Sequence, residues 1–178
     1  MKNEKIVIVS GYFDPLHIGH LEYFDLAKEL GDKLVVIVNN DIQCKLKKGE
    51  SFMNEKDRME IIFALGIVDE VLLSSDTDGS VCDSIEKVVE FHTEVGINYE
   101  FIFCNGGDRH IGEIPETETC EKLGIQMADG LGNKIRSSSE LTKLYPKERG
   151  LYTPPKSSGE TEINEYGDDE WSNPKPKL

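Results

Sequence analysis

At 178 residues and 20.0 kDa, the chain has room for one domain of ordinary size, roughly 100–150 residues, plus a short appendage; a large multidomain machine is excluded. Hydrophobic residues make up 38% and charged residues 30%, so apolar material for a core exists, but part of the chain must lie outside it. The 34 acidic against 20 basic side chains give a net charge of -14, which repels a polyanionic backbone and excludes extended DNA or RNA as a partner, while a small anion in a local basic pocket stays compatible.

In chain order, Lys5–Ser10 reads KIVIVS, a continuous β-branched run of strand length, and Lys33–Asn39 (KLVVIVN) repeats the pattern. Runs that are apolar on both faces are expected in a parallel sheet covered by helices. Glu70–Ser74 (EVLLS), Glu100–Cys104 (EFIFC) and the weaker Ile125–Ala128 complete five predicted strands. Between them, apolar residues step along helical faces: Leu21, Phe24, Ala27 and Leu30; Met59, Ile62, Phe63 and Gly66; then Val81, Ile85, Val88, Val89 and His92. Gly31, Gly66, Gly96 and Gly124 each follow a helical pattern where a left-handed residue is wanted, and Asn54 is placed as an N-cap. The alternation predicts an α/β fold with a doubly wound five-stranded parallel sheet and helices on both faces, whose ligands bind in the loops that follow strands. The domain is expected to span residues 1–150. Residues 151–178, with Pro154, Pro155, Pro174, Pro176 and the acidic run Asp168–Glu170, are expected to form a flexible acidic tail.

The cysteines, Cys44, Cys82, Cys104 and Cys120, are scattered without a C-x-x-C pair or a disulfide framework, and read as buried or idle thiols. Met1–Lys5 passes straight into a short apolar run without a signal-peptide h-region, and no stretch approaches the roughly 20 apolar residues that cross a bilayer. A soluble, cytoplasmic protein with no membrane partner is expected.

Directly after the first strand stands Gly11-Tyr12-Phe13-Asp14-Pro15-Leu16-His17-Ile18-Gly19-His20, followed by a helical pattern. A strand-to-helix turn offers unpaired N–H groups and the positive end of a helix dipole to an anion, and Gly19 leaves room for a phosphate to approach. His17 and His20 are then candidate donors to phosphate oxygens, the task that dominates catalysis of nucleotidyl transfer. A mononuclear metal site of Asp14, His17 and His20 is an alternative, although H-x-x-H is shorter than the helical zinc spacing.

The string resembles the G-x-F-D-x-x-H-x-G-H signature of the cytidylyltransferase-like nucleotidyltransferases, matched at Gly11, Phe13, Asp14, His17, Gly19 and His20. The resemblance implies a Rossmann-like fold and an enzyme that transfers CMP or AMP from a nucleoside triphosphate to a phosphorylated alcohol or sugar, with magnesium accompanying the nucleotide. Catalysis would rest on His17 and His20, and Gly11, Tyr12, Phe13, Asp14 and Gly19 would line the nucleotide site. In related transferases a lysine-bearing loop closes on the phosphates; Lys45 or Lys47, in a basic island with Lys48, is the expected counterpart. Arg58 stands in a segment similar to a family helix opening and is expected either to bind the acceptor or to form a surface salt bridge, and Val68-Asp69-Glu70-Val71 resembles the family's V-D-E-V strand entry. Asn105, Gly107, Asp108 and Arg109, in Cys104-Asn105-Gly106-Gly107-Asp108-Arg109, resemble the element that holds the nucleoside. Ser137, Ser138 and Ser139, at the start of a last helix, resemble the element that holds the outer phosphates; Arg136 departs from that element, which often has an apolar or small residue there, and adds a cation to the same site. Relatives with nearly the same motifs act on glycerol phosphate, choline phosphate, heptose phosphate and flavin mononucleotide, so the base and the acceptor stay open, with CTP taken first. Homodimers are common in the family.

Two other classes compete. His17-Ile18-Gly19-His20 is also the H-I-G-H of class I aminoacyl-tRNA synthetases, but the chain is short, has no K-M-S-K-S string and is acidic. A non-catalytic nucleotide sensor would keep the pocket without turnover. The missing G-x-G-x-x-G after the first strand disfavours a dinucleotide-dependent oxidoreductase.

Overall fold

A computed structural model describes residues 4–94, 98–106, 114–131 and 138–143. The elements run β1 (Glu4–Gly11), α1 (Ile18–Lys28), β2 (Lys33–Val38), α2 (Asp41–Lys48), α3 (Glu55–Phe63), β3 (Glu70–Leu73), α4 (Cys82–Glu94), β4 (Tyr99–Gly106), α5 (Glu116–Leu123), β5 (Gln126–Leu131) and α6 (Ser138–Lys143). All five predicted strands are present, in one parallel sheet of order β3-β2-β1-β4-β5. Gln126–Leu131 extends beyond the weak apolar run that predicts it.

Side chains on successive strand residues point to opposite faces, and this divides the continuous apolar runs into two cores. Val7 and Val9 of β1, Leu34, Val36 and Val38 of β2, and Ile102 and Cys104 of β4 pack with Phe24 and Ala27 of α1 and Ile62 of α3. Ile6, Ile8, Val35, Ile37 and Phe103 pack on the other face with Ile85 and Val88 of α4 and Cys120 of α5. Residues Ile6 to Val9 are fully shielded, each apolar side chain contributing about 1.5–3 kcal/mol of burial. β1 lies between β2 and β4, so the direction of winding reverses beside it, and the crevice at its carboxyl end is where a doubly wound sheet takes its ligand.

The caps agree with the sequence in part. Asn54 accepts from the Asp57 N–H at the start of α3, and Gly124 ends α5 in the left-handed conformation at φ 68°. Gly31 is required for a different reason from the one expected: a Cβ there would come within 2.6 Å of Val7 Cγ2 and 2.9 Å of the Lys5 carbonyl oxygen. Gly66 lies past the end of α3 in open space, and Gly49, at φ 86°, is the glycine that ends α2. Leu30 and Phe63, expected on core faces, are exposed because α1 stops at Lys28 and Phe63 is the last residue of α3. Gly96 and the tail from residue 151 lie outside the described residues. Cys44, Cys104 and Cys120 are buried thiols, and burial pushes Cys104 and Cys120 up to about 12. Among the described residues, no helix is long and apolar enough to cross a membrane.

Candidate active site

The turn between β1 and α1 is shaped by Phe13. Its backbone is left-handed, at φ 47°, which costs a non-glycine residue about 1–2 kcal/mol. The ring is buried and meets Phe24 at 5.1 Å and His20 at 5.0 Å, both edge to face. Gly11 makes room for that ring, because a Cβ there would lie 2.7 Å from it. The Asp14–Pro15 peptide is cis, and the chain enters α1 with His17 as N-cap.

His17 and His20 stack with ring centroids 3.7 Å apart and planes 13° from parallel. The His17 N–H donates to His20 Nδ1 at 3.2 Å. Burial, with smaller contributions from His17 and the Lys48 ammonium, lowers the His20 imidazole from 6.5 to about 3. His20 is therefore neutral at pH 7, and because Nδ1 accepts, Nε2 carries the proton. The ring presents a neutral N–H donor. Stability is linked to the same proton: the unfolded chain takes it up below about pH 6.5 and the folded chain does not until about pH 3, so stability falls as pH falls through that window. The melting temperature of wild type should thus drop more steeply from pH 6.5 to about 4.5 than that of His20→Asn, and an NMR titration should show no protonation of His20 between about pH 5 and 8. Equal slopes, or a midpoint near 6.5, would contradict the buried neutral state.

Asp14 is fully buried and braces the turn from beneath. Oδ2 accepts the Phe52 N–H at 2.9 Å and Oδ1 the Met53 N–H at 2.7 Å. Lys48 Nζ donates to the Asp14 carbonyl at 2.8 Å and lies 3.6 Å from Oδ2. An Asp14, His17 and His20 metal centre does not fit this arrangement, since the Asp14 carboxylate is sealed beneath the turn and directed at the Phe52 and Met53 N–H groups. No cluster of three ligating side chains occurs among the described residues.

The lysines expected on a loop sit in the last turn of α2. Asn40 and Gln43 form a reciprocal cap: the Gln43 N–H donates to Asn40 Oδ1 at 2.9 Å, and the Asn40 N–H to Gln43 Oε1 at 3.1 Å. Cations at the carboxyl end of this helix also suit its dipole. Asn40-Asp41-Ile42-Gln43 is a readable N-terminal signal, masked by the polarity of the lysine-rich residues after it. Lys45 projects to the surface, Lys47 Nζ lies 4.2 Å from the Tyr12 ring centroid, and Lys48 Nζ donates to the backbone of the turn at the Asp14 carbonyl. Sequence reasoning favours Lys45 and Lys47 and passes over Lys48.

Arg58 also departs from expectation. It is 1% exposed, and four of its N–H bonds are already directed at protein oxygens. Nε donates to the Met53 carbonyl at 3.1 Å, one terminal nitrogen to Tyr12 O at 2.8 Å and Asn39 O at 2.6 Å, and the other to Asp41 Oδ1 at 2.7 Å. An acceptor contact leaves it little to offer. Asp69 of the V-D-E-V string pairs with Lys28 and accepts the Leu34 N–H at 2.7 Å, locking β2 to the end of α1.

On the other side of the crevice, the Tyr23 hydroxyl donates to the Cys104 carbonyl, and a Cβ on Gly106 would stand 3.2 Å from the Tyr23 ring. Asn105 is buried, and its Nδ2 has no hydrogen-bond partner among the described residues. Ser138, first residue of α6, donates from Oγ to the Pro15 carbonyl at 3.0 Å, so the last helix joins the histidine turn. Gly19 is the second residue of α1 and Ser139 the second of α6. Gly107, Asp108, Arg109, Arg136 and Ser137 lie outside the described residues.

A family model described as cytidylyltransferase-like matches residues 8–150, a span that holds the histidine turn, the lysine-bearing helix and the whole sheet beyond the start of β1. The chain belongs to that family. Similar proteins include the bifunctional protein HldE of Haemophilus influenzae, strain PittEE, 36% identical over 115 residues, a stretch that is 60% of this chain and 24% of HldE. The FAD synthase of Pyrococcus abyssi is 46% identical over 96 residues, covering 53% of this chain and 64% of the synthase. Among solved structures, a lipopolysaccharide core biosynthesis protein from Thermoplasma volcanium GSS1 superposes with a TM-score of 0.56 at 28% identity, over 73% of this chain and 98% of that one. The chain thus spans about a quarter of HldE and just under two thirds of the synthase. The superposition on the Thermoplasma volcanium protein agrees with the Rossmann-like architecture described above.

Proposed function

We propose that the chain transfers a nucleoside monophosphate from a nucleoside triphosphate to a phosphorylated small molecule. An acceptor phosphate oxygen forms the new bond to the α-phosphorus, the α–β bridging P–O bond breaks, and pyrophosphate leaves. The observation that carries this reading is the stacked His17–His20 pair at the amino end of α1, with a neutral N–H on His20 Nε2 and the Lys48 ammonium close by. Positioned donors of this kind stabilise charge that grows on phosphate oxygens in the transition state, without a covalent nucleophile.

His17 and His20 donate to the α-phosphate, Lys48 neutralises phosphate charge, Asn105 Nδ2 and the segment 107–109 hold the nucleoside, and the segment 136–139 meets the outer phosphates. Magnesium, where it accompanies the nucleotide, would be held by phosphate oxygens and would neutralise their charge. Cytidine nucleotides are the first expectation from the sequence; resemblance to an FAD synthase favours ATP, because the nucleotide half of FAD is adenylate. Pyrophosphate release with each of the four nucleoside triphosphates, against flavin mononucleotide and a panel of sugar and polyol phosphates, tests the reading. Turnover with one nucleotide and one acceptor is the expected result; nucleotide binding without turnover across the panel would point to a sensor.

The lysines are separable. An ammonium has three donors, and the Asp14 carbonyl takes one from Lys48, leaving two for phosphate. Lys48→Ala should lower kcat/KM by about 10–100-fold, the equivalent of one charge-assisted hydrogen bond, whereas Lys45→Ala should stay within about threefold. A larger loss at Lys45 would return the role to a residue the sequence favours.

A further inference from the structure

We propose that Arg58 is a positioning residue that sets the spacing between the histidine turn and the lysine-bearing end of α2, rather than a contact for substrate. The proposal rests on the nucleotidyl-transfer reading for its kinetic consequences. Its basis is the set of segments that one buried guanidinium joins. Tyr12 follows β1 and opens the histidine turn, Asn39 follows β2, Asp41 begins α2, and Met53 precedes α3; Arg58 donates to an oxygen of each.

The tie is closed from the opposite side. The Met53 peptide group offers its carbonyl to Arg58 and its N–H to Asp14, the carboxylate beneath the same turn. Asp14 also holds Lys48 at the end of α2, while Arg58 holds Asp41 at its beginning. Both ends of α2 are therefore pinned to the turn by buried charges. Asp41 and Glu55 complete the frame by accepting each other's N–H groups, at 2.8 Å for Asp41 N to Glu55 Oε2 and 3.2 Å for Glu55 N to Asp41 Oδ2. A planar fork with five donors can satisfy four oxygens in fixed directions; an ammonium with three donors on a flexible stem cannot. Loosening this frame displaces the imidazoles relative to the Lys48 ammonium, and a misplacement of about 1 Å near the chemistry can cost about 10²-fold in rate.

The test uses Arg58→Lys in the full chain, with folding followed by circular dichroism. The expected result is a folded protein whose kcat falls by about 10²-fold while KM for the phosphorylated acceptor stays within about threefold. The NMR resonances of His17 and His20 should move in the variant without any ligand. Retained kcat with a KM raised by about tenfold or more would overturn the proposal in favour of a substrate contact; retained kcat with unmoved imidazole signals would overturn it outright. Should Arg58→Lys fail to fold, Asp41→Ala removes one of the four ties at a half-exposed position. It is then read by the same criteria, with a smaller loss of kcat expected and an unchanged kcat contradicting the proposal. If wild type turns over no acceptor at all, the nucleotidyl-transfer reading fails, and the ligand-free imidazole signals alone decide the positioning role.

Discussion

Replacing His17 with alanine should lower turnover by about 10²–10³-fold while the protein stays folded. The ring stacks on His20 at the open end of α1, where a growing phosphate charge would find its N–H donors, and its loss removes one of them. Two measurements separate catalysis from structure. Circular dichroism should show a native spectrum, since the residue is half-buried at the start of α1 and outside both cores. Nucleotide binding followed by thermal shift should persist, because the other donors around the phosphates remain. The His20 imidazole should also titrate higher in this variant, because His17 is one of the groups that depress it. Near-normal turnover in a folded His17→Ala protein would remove the basis of the proposed chemistry.

Asp14→Asn should be the most destabilising single-atom change in the site. The wild-type carboxylate accepts two backbone N–H groups, from Phe52 and Met53, and faces Lys48. An amide keeps one acceptor oxygen and turns an NH2 group toward the second N–H. Loss of a charge-assisted bond together with an unsatisfied buried donor costs about 3 kcal/mol, which for a domain of this size lowers the melting temperature by about 6–12 °C. Activity should fall even well below the transition, because the carboxylate that steadies Lys48 is gone. A melting temperature within a degree or so of wild type would show that the connection between α2 and α3 holds without Asp14.

The architecture is legible because its signals are local. KIVIVS and KLVVIVN cannot be amphipathic surface strands, and their continuous apolarity already implies helices on both sides. The histidine turn is legible for the same reason, since its strand, its turn and its helix are contiguous. What escapes are ties between distant positions and the consequences of burial. Nothing in the string around Lys48 says that its ammonium folds back to residue 14. Arg58 reads as a surface or substrate-binding cation because arginines are rarely buried whole, yet four backbone and side-chain oxygens converge on it. The neutral state of His20 is equally invisible: it depends on the shelter given by Phe13 and on the neighbouring charges, which only the folded turn assembles.

The central place of β1 has a consequence for how the protein fails. The strand is bordered by β2 and β4, and four consecutive residues along it are sealed from water, so its amides should be among the slowest to exchange for deuterium. The outer strands β3 and β5 should exchange faster, and loosening of β5 reaches the turn through the Ser138–Pro15 contact. Heat should therefore begin to erode catalysis from the β5 margin and abolish it when the sheet around β1 melts cooperatively.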